Sequence, residues 1–260
     1  MNKNKYFAKV FNAFSKVVQN KGSLTICTGA NAPFYESMRD NLLSSIVKYE
    51  PKTKIVIWDL GLLDSQLSEL QYFVKKWGGV VYKFPFEELS EHYAMDKQNY
   101  AFKSYCMMKT MCSCGTDYLL WLDAGCGIVN RLDAERNIMK MYGIYSPYSS
   151  TTVSQLTVPN VMSEYAEGIV CIGSKPMLSS GCVGVNIHNT KAVGIITRWY
   201  HEGALPNLLS PVGSSKKNHR QDQSLLSLAY YSTYSKVPIF ARRWINIRFH
   251  LNKNLEKSCV

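Results

Sequence analysis

Two aspartates of this sequence lie at the ends of short apolar runs, where a folded chain can present a carboxylate to a ligand. Asp59 ends the run KIVIWD, and Asp123 follows the run YLLWL. Both runs have the length and the apolar, aromatic-rich composition of buried strands. Ligands of open α/β sheets bind outside the carboxyl ends of the strands, so both carboxylates are expected at that edge. For Asp123 the alternative is that it only forms a turn or caps a helix.

Small residues accompany these carboxylates. Thr28 and Gly29 end another apolar run at the same edge, and Ala124 and Gly125 follow the second aspartate. Small residues let a ligand approach the backbone closely. We therefore expect a nucleotide across the three strand ends, with its base or ribose near the first aspartate and its diphosphate near the second. A diphosphate beside a carboxylate needs a cation between the two anions, and Mg²⁺ or Mn²⁺ suits such oxygen ligands.

The charge balance favours anionic partners. The net charge is +11 and the pI is about 9.2, which suits a nucleotide diphosphate or an anionic membrane surface. No nucleic-acid-binding motif accompanies the charge, so we predict no nucleic-acid partner. With 46% hydrophobic residues, the chain can bury a substantial core as one large domain or two small ones.

The cysteines and the apolar runs bear on location. The eight cysteines are scattered, and Cys112 and Cys114 lack the second pair or nearby histidine of a zinc site. No run approaches the roughly 18 apolar residues of a membrane span, and the N-terminus lacks a signal-peptide pattern. We therefore predict a reduced, cytoplasmic protein, with peripheral contact to a membrane left open.

The first part of the chain alternates strands and helices. The predicted elements are strands at 23–28, 54–59 and 80–84 and helices at 34–49 and 64–77. This alternation predicts a parallel sheet with right-handed crossovers. A GxGxxG pattern is absent after the first strand, which argues against a dinucleotide cofactor, and there is no Walker A motif.

The rest of the chain carries a more mixed pattern. We predict a helix at 99–112, the central strand at 118–122 and a helix at 131–142. We predict short antiparallel strands and loops at 145–180, with a hairpin near Gly173. They are followed by a strand at 179–187, a helix at 190–202, a loop at 203–218 and a helix at 225–231 that is opened by 219–224.

The N-terminal segment forms a separate prediction. Residues 2–21 place apolar side chains at helical spacing with lysines between them, which predicts a basic amphipathic helix. That helix either lies on an anionic membrane surface or packs on the domain. We divide the chain into this helix, residues 1–21, and one domain, residues 22–260, with a nucleotide-binding half at 22–129 and an acceptor-binding half at 130–260.

The order of elements resembles that of the GT-A glycosyltransferases. Four blocks carry the resemblance: YAFK at 100–103, WLDAG at 121–125, SGCVG at 180–184 and HRQDQ at 219–223. It covers residues 22–250 approximately. The resemblance implies an α/β, Rossmann-like GT-A fold whose central, mostly parallel sheet is flanked by helices, with a smaller acceptor-side C-terminal portion.

The resemblance also assigns roles. The residues that it places at the nucleotide sugar are Thr28, Gly29, Asp59, Tyr100, Lys103, Asp123, Ala124, Gly125, Ser180 and Gly181. The run from Asp123 to Gly125 matches the DxD motif, but Gly125 replaces the second aspartate. The resemblance implies a Mn²⁺ or Mg²⁺ cofactor held by Asp123, with His250 as a second ligand, and the missing carboxylate puts that metal in doubt.

Asp222 is the predicted catalytic residue. In GT-A enzymes an acidic residue before this helix faces the sugar and the acceptor. A carboxylate there removes the acceptor's proton in an inverting reaction, or orients the sugar in a retaining one. The alternative is a helix cap. His219 and Arg220 beside it are predicted to bind acceptor or phosphate, with a solvated loop as their alternative.

These inferences predict a glycosyltransferase that moves a sugar from a nucleotide-diphosphate donor, UDP favoured, to a hydroxyl of a glycan or lipid-linked acceptor. Two alternatives remain open. One is a non-catalytic GT-A-like binding module, which Gly125 favours. The other is a sugar-phosphate nucleotidyltransferase, although the segment TGANAP at 28–33 lacks the glycines and basic residues that such an enzyme needs.

Overall fold

The computed structural model describes residues 22–95, 99–165, 172–234 and 245–249. The predicted helix at 2–21 and the predicted ligand His250 lie outside these residues. Among the described residues, no helix combines the length and the apolar character needed to cross a membrane.

Ten strands are described, and six of them form one sheet. The strands are β1 (Leu24–Ala30), β2 (Lys54–Asp59), β3 (Gly79–Lys83), β4 (Tyr118–Leu122), β5 (Gly127–Ile128), β6 (Ile144–Tyr145), β7 (Tyr148–Thr152), β8 (Pro176–Leu178), β9 (Cys182–Asn186) and β10 (Ile247–Arg248). The large sheet has the order β3-β2-β1-β4-β9-β6. Its first four strands are parallel, and β9 runs antiparallel to both β4 and β6. The predicted mostly parallel sheet is therefore confirmed.

Helices alternate with these strands along much of the chain. The α-helices are α1 (Tyr35–Ser37), α2 (Ser44–Tyr49), α3 (Asp64–Trp77), α4 (Phe102–Ser113), α5 (Asp133–Tyr142), α6 (Pro159–Ser163), α7 (Thr190–Gly203), α8 (Pro206–Leu209) and α9 (Asp222–Thr233). A π-helix, Met38–Leu43, joins α1 to α2, so the predicted helix at 34–49 is continuous but irregular. The core side chains form one cluster that includes every residue of β4.

Local geometry explains where the predicted bounds were wrong. The helix predicted from Asn99 begins at Phe102 because Tyr100 has a φ of +61°, which a right-handed helix does not allow. The N-cap of α3 is Leu63, not Asp64 or Ser65. The predicted loop at 203–218 contains α8. The predicted antiparallel strands are confirmed by β7 and β8, but the residues between them, 153–175, include α6, so this pair is not a hairpin near Gly173.

Candidate active site

A cleft of about 620 Å³ opens at the carboxyl ends of β1 and β4. This volume falls within the usual range of small-molecule sites, which is about 300–1,000 Å³. The predicted site residues that line the cleft are Gly29, Tyr100, Lys103, Asp123, Ala124, Gly125, Ser180, Gly181, Arg220 and Asp222. Residues far apart in the sequence thus meet where a parallel sheet binds its ligands.

Asp123 holds its carboxylate between two donors. The Nζ of Lys103 donates to its Oδ2 at 2.8 Å, and the indole Nε1 of Trp121 donates to its Oδ1 at 2.8 Å. Lys103 is 6% exposed. Burial acts to lower the pKa of Lys103, but the charges of Asp123 and Asp222 outweigh it and raise that pKa. Lys103 is therefore a charged ammonium within the cleft at neutral pH.

Asp222 is a second, less satisfied carboxylate in the cleft. It is the first residue of α9 and only 3% exposed, and its Oδ2 has no hydrogen-bond partner. Burial raises its pKa to about 6, although the charge of Lys103 and a hydrogen bond with Ser180 act in the opposite direction. Above pH 6 it is consequently a carboxylate with a free oxygen, which is the state of a general base.

Strained backbone precedes both helices that carry these groups. Tyr100, just before α4, has a φ of +61°, and Gln221, just before α9, has a φ of +42°. They are the described non-glycine residues with positive φ. Such a conformation costs about 1–3 kcal/mol and concentrates at functional sites. These two residues fix the direction in which the chain enters the helices that carry Lys103 and Asp222. Both of those side chains line the same cleft.

Cations gather around Tyr100. The Nζ of Lys216 donates to the Tyr100 hydroxyl at 3.1 Å, and the Nζ of Lys103 lies 5.0 Å from the centre of the same ring. Arg220 lines the cleft, and its backbone N–H is anchored by the carbonyl of Leu156. Lys103 and Lys216 therefore both lie against Tyr100, and Arg220 lines the same cleft. This concentration of positive charge favours a polyanionic ligand.

Gly181 brings backbone close to the carboxylate. A Cβ at this position would lie 2.8 Å from Oδ2 of Asp123 and 2.5 Å from Cε2 of Phe249. Phe249 reaches the cleft because β10 pairs with β5 and because Asn246 is held by Glu135. The backbone N–H of Asn246 donates to Glu135 Oε1 at 2.8 Å, and its side-chain amide donates to Oε2 at 3.1 Å.

Three predicted residues do not line the cleft. Thr28 is fully buried within β1, and Asp59 accepts the backbone N–H groups of Gly61 and Leu62, so it shapes its own loop. His219 is fully buried, and its Nε2 donates to the carbonyl of Leu208 at 3.1 Å. The solvated-loop alternative for His219 is wrong because its side chain is buried, and that burial lowers its pKa.

Trp121 and Phe249 are among the cleft residues that the sequence did not predict. The indole of Trp121 orients Asp123, and Phe249 packs against Gly181. Trp121 lies two residues before the aspartate, so its ring returns to the same face of the strand; that spacing was a usable signal. Phe249 carried no such signal because it arrives from the end of the chain.

The cysteines near the cleft do not supply a nucleophile. Burial raises the pKa of the Cys126 and Cys182 thiols well above their ordinary value. A thiol acts as a nucleophile only as a thiolate. The chemistry of the cleft therefore belongs to its carboxylates and cations.

Comparison with known proteins was made at the level of sequence and of structure. No protein-family model and no curated protein matches the chain. An active-site mutant of LgtC aligns over 87% of this chain and 86% of its own, with a TM-score of 0.55 and 10% identity. The bifunctional glycosyltransferase WbbM aligns over 85% of this chain and 40% of its own, with a TM-score of 0.53 and 10% identity. The mannosyltransferase Ktr4p from S. cerevisiae, in complex with GDP, aligns over 80% and 66%, with a TM-score of 0.51 and 10% identity.

These neighbours and the sheet order decide the architecture. The fold is the GT-A fold. At this low identity the likeness concerns the fold alone, and the chain spans well under half the length of WbbM. The predicted GT-A fold is thus confirmed, and the cleft lies at its ligand-binding edge.

Proteins of the GT-A fold generally use a divalent cation, which needs several oxygen or nitrogen ligands. Gly125 offers no carboxylate, and both oxygens of Asp123 already accept a hydrogen bond. Within residues 22–95, 99–165, 172–234 and 245–249, no group of three His, Cys, Asp or Glu side chains is placed to hold a metal. The donor set of the described residues does not fit a divalent cation, and the predicted second ligand, His250, lies outside those residues.

Proposed function

We propose that the chain is a glycosyltransferase. It moves a sugar from a nucleotide-diphosphate donor, UDP favoured, to a hydroxyl of a glycan or lipid-linked acceptor. The observation that supports this most is the meeting of Lys103 and Asp222 in one cleft at the ligand edge of a GT-A fold. The cation suits the diphosphate, and the carboxylate suits the sugar and its acceptor.

The proposed reaction uses each side of the cleft. The bond between the anomeric carbon and the diphosphate breaks, a bond to the acceptor oxygen forms, and the acceptor hydroxyl loses its proton. In an inverting reaction Asp222 takes that proton, and in a retaining reaction it stabilises positive charge on the sugar. The three cations offset the negative charge that develops on the departing diphosphate.

The glycine-lined wall gives the donor its access. Gly181 lies against Asp123, and Ser180 forms a hydrogen bond with Asp222. Gly29 and Asn31 line the cleft at the carboxyl end of β1. We place the nucleoside at that end and the sugar at the Asp222 end.

Thermal stability against nucleotides tests the donor class. The panel is UDP, GDP and CDP with their sugar derivatives; GDP is included because it is bound to Ktr4p. A ligand that binds only the folded chain at about 100 times its Kd adds roughly 2.7 kcal/mol of stability. We expect the nucleoside diphosphate of one base to stabilise the chain. We also expect the chain to release that diphosphate from the corresponding nucleotide sugar. Absence of any shift would contradict the proposal, and binding without turnover would favour a binding module.

Gly181→Ala tests the close approach beside Asp123. The added methyl would displace the Asp123 carboxylate or the Phe249 ring, because it would lie within 3.0 Å of both. We expect affinity for the stabilising diphosphate to fall about tenfold or more, which is about 1.4 kcal/mol. Isothermal titration calorimetry measures this.

Gly194→Ala is the matched control for that variant. Gly194 lies inside α7 and an added Cβ would meet no atom within 4 Å. Alanine in a helix interior is favoured over glycine by about 0.5–1 kcal/mol, so this variant should bind normally. Normal binding by Gly181→Ala as well would remove Gly181 from the proposed donor wall.

A further inference from the structure

The cation of this cleft is built into the chain. The described residues offer a divalent metal no cluster of ligands, yet a leaving diphosphate requires positive charge. Lys103 lines the cleft and supplies such a charge on a buried side chain. This inference rests on the proposed function and concerns how the donor diphosphate is held.

Asp123 is committed to Lys103 and not to an incoming metal. Its two oxygens accept from the lysine ammonium and from the Trp121 indole, each at 2.8 Å. A metal that bound the remaining lone pairs of Asp123 would lie close to the Lys103 ammonium, and the two positive charges would repel each other. Lys103 is 6% exposed, so its ammonium has little solvent to enter if it is displaced.

The charge of Lys103 depends on the neighbouring carboxylates Asp123 and Asp222, which offset two local costs. Lys103 is the second residue of α4, and the N-terminal turn of a helix disfavours a cation because the helix dipole is positive there. Burying an ammonium adds a desolvation cost. The same dipole end favours an anion, so a diphosphate at this point would be attracted both by the helix terminus and by Lys103.

The ammonium has donors to spare. A lysine carries three N–H donors, and the hydrogen bond described for the Lys103 Nζ is the one to Asp123. Lys216 adds positive charge at the Tyr100 hydroxyl, and Arg220 lines the same cleft. Asp123 then acts as a positioning residue, because it fixes the ammonium that contacts the diphosphate.

We propose that Lys103 takes the place of the divalent cation, so that the chain binds the donor diphosphate without metal. The diphosphate oxygens accept hydrogen bonds from the Lys103 ammonium, and Lys216 and Arg220 reinforce the site. When the sugar is transferred, the electron pair of the broken bond stays on the diphosphate, and the same ammonium offsets its charge.

Calorimetric titration with UDP and with GDP tests this, in excess EDTA and again in excess MnCl₂. We expect the Kd of the better nucleotide to be the same in both buffers. Lys103→Met should weaken binding by about 10- to 100-fold in EDTA, the usual effect of losing a charged hydrogen bond. Lys103→Arg keeps the charge and should recover part of that loss.

Lys109→Met is the matched control, since Lys109 is an exposed lysine of the same helix and does not line the cleft. It should bind as the wild type does. Circular dichroism and thermal unfolding establish that each variant is folded. If Lys103→Met does not fold, Lys103→Arg and the comparison of the two buffers on the wild type still decide the question.

The outcomes separate this inference from the proposed function. Nucleotide binding that requires Mn²⁺ would overturn the role of Lys103 and leave a metal-dependent glycosyltransferase. Binding in EDTA that Lys103→Met does not alter would overturn it as well. If neither nucleotide binds in either buffer, both this inference and the proposed donor class are wrong. Electron paramagnetic resonance with Mn²⁺ alone should show free metal, and tight Mn²⁺ binding abolished by Asp123→Asn would contradict the account.

Discussion

Asp222→Asn is expected to slow sugar transfer by about 10²- to 10⁴-fold, the usual contribution of a positioned acid–base group. The amide keeps the size of the side chain but neither accepts a proton nor carries the charge that stabilises a positive sugar. Diphosphate affinity should change much less, because the diphosphate is placed at Lys103. The measurements are the kcat of transfer and the Kd of the nucleotide.

Asp64→Asn is the matched control. Asp64 is also the first residue of a helix, α3, but it is exposed and lies outside the cleft. This variant should retain full activity. If Asp222→Asn also retains full activity, Asp222 does no more than occupy the helix terminus, and its proposed role is wrong.

The same carboxylate predicts a pH dependence. Burial raises the pKa of Asp222 to about 6, so the free enzyme loses its carboxylate as the pH falls through that value. The kcat/KM should therefore fall below about pH 6, since this parameter reports groups of the free enzyme. Asp222→Asn should lack that acidic limb.

Arg136→Met is expected to lower the stability of the chain strongly. Arg136 forms two hydrogen bonds with Glu50, Nη1 to Oε1 at 2.9 Å and Nη2 to Oε2 at 2.6 Å, and both residues are less than 10% exposed. Methionine would leave a buried carboxylate without its cation, which costs about 3–5 kcal/mol. Urea denaturation at neutral pH measures the free energy of unfolding.

Arg131→Met provides the comparison for that loss. Arg131 pairs with Asp133 near the start of the same helix, but its side chain is 69% exposed. Exposed pairs contribute about 0–1 kcal/mol, so this variant should unfold almost as the wild type does. Equal stability of the two variants would mean that the Glu50–Arg136 pair does not hold the helix α5 in place.

The buried pair also carries a pH signature. Burial acts to raise the pKa of Glu50, but the hydrogen bonds and the charge of Arg136 outweigh it and lower that pKa. A lowered folded-state pKa contributes stability above the unfolded-state value of 4.5, and that stability is lost as the pH falls through the folded-state value. Arg136→Met should flatten this acid limb of the stability curve.

Part of the fold could be predicted from local sequence pattern. The bounds of β2, α3 and β4 were predicted correctly to the residue. An apolar run bounded by turn residues defines β2 and β4, and Gly78, with a φ of +78°, ends α3. The start of α4 was predicted three residues too early, because the backbone of Tyr100 departs from the helix and its sequence shows no glycine or proline there.

The sequence predicted the candidate site less completely than it predicted these strands and helices. The strand-end pattern selected Asp123 correctly as a cleft residue and selected Asp59, which shapes its own loop. The two aspartates look alike in sequence because each one ends or follows an apolar run. The loop after each strand decides whether the carboxylate faces the cleft or its own backbone. The hydrogen bond between Lys103 and Asp123 joins residues 20 positions apart in the sequence. It depends on how α4 packs beside β4. Phe249 depends on two-residue strands that leave no periodic signal.

The most direct test of the account is a crystal structure of the chain bound to the nucleoside diphosphate of highest affinity, with EDTA in the crystal solution. The account predicts the nucleoside beside Gly29 and Asn31, the diphosphate within hydrogen-bond distance of the Lys103 Nζ, and open space for a sugar beside Asp222. A nucleotide bound outside this cleft, or a diphosphate turned away from Lys103, would contradict it.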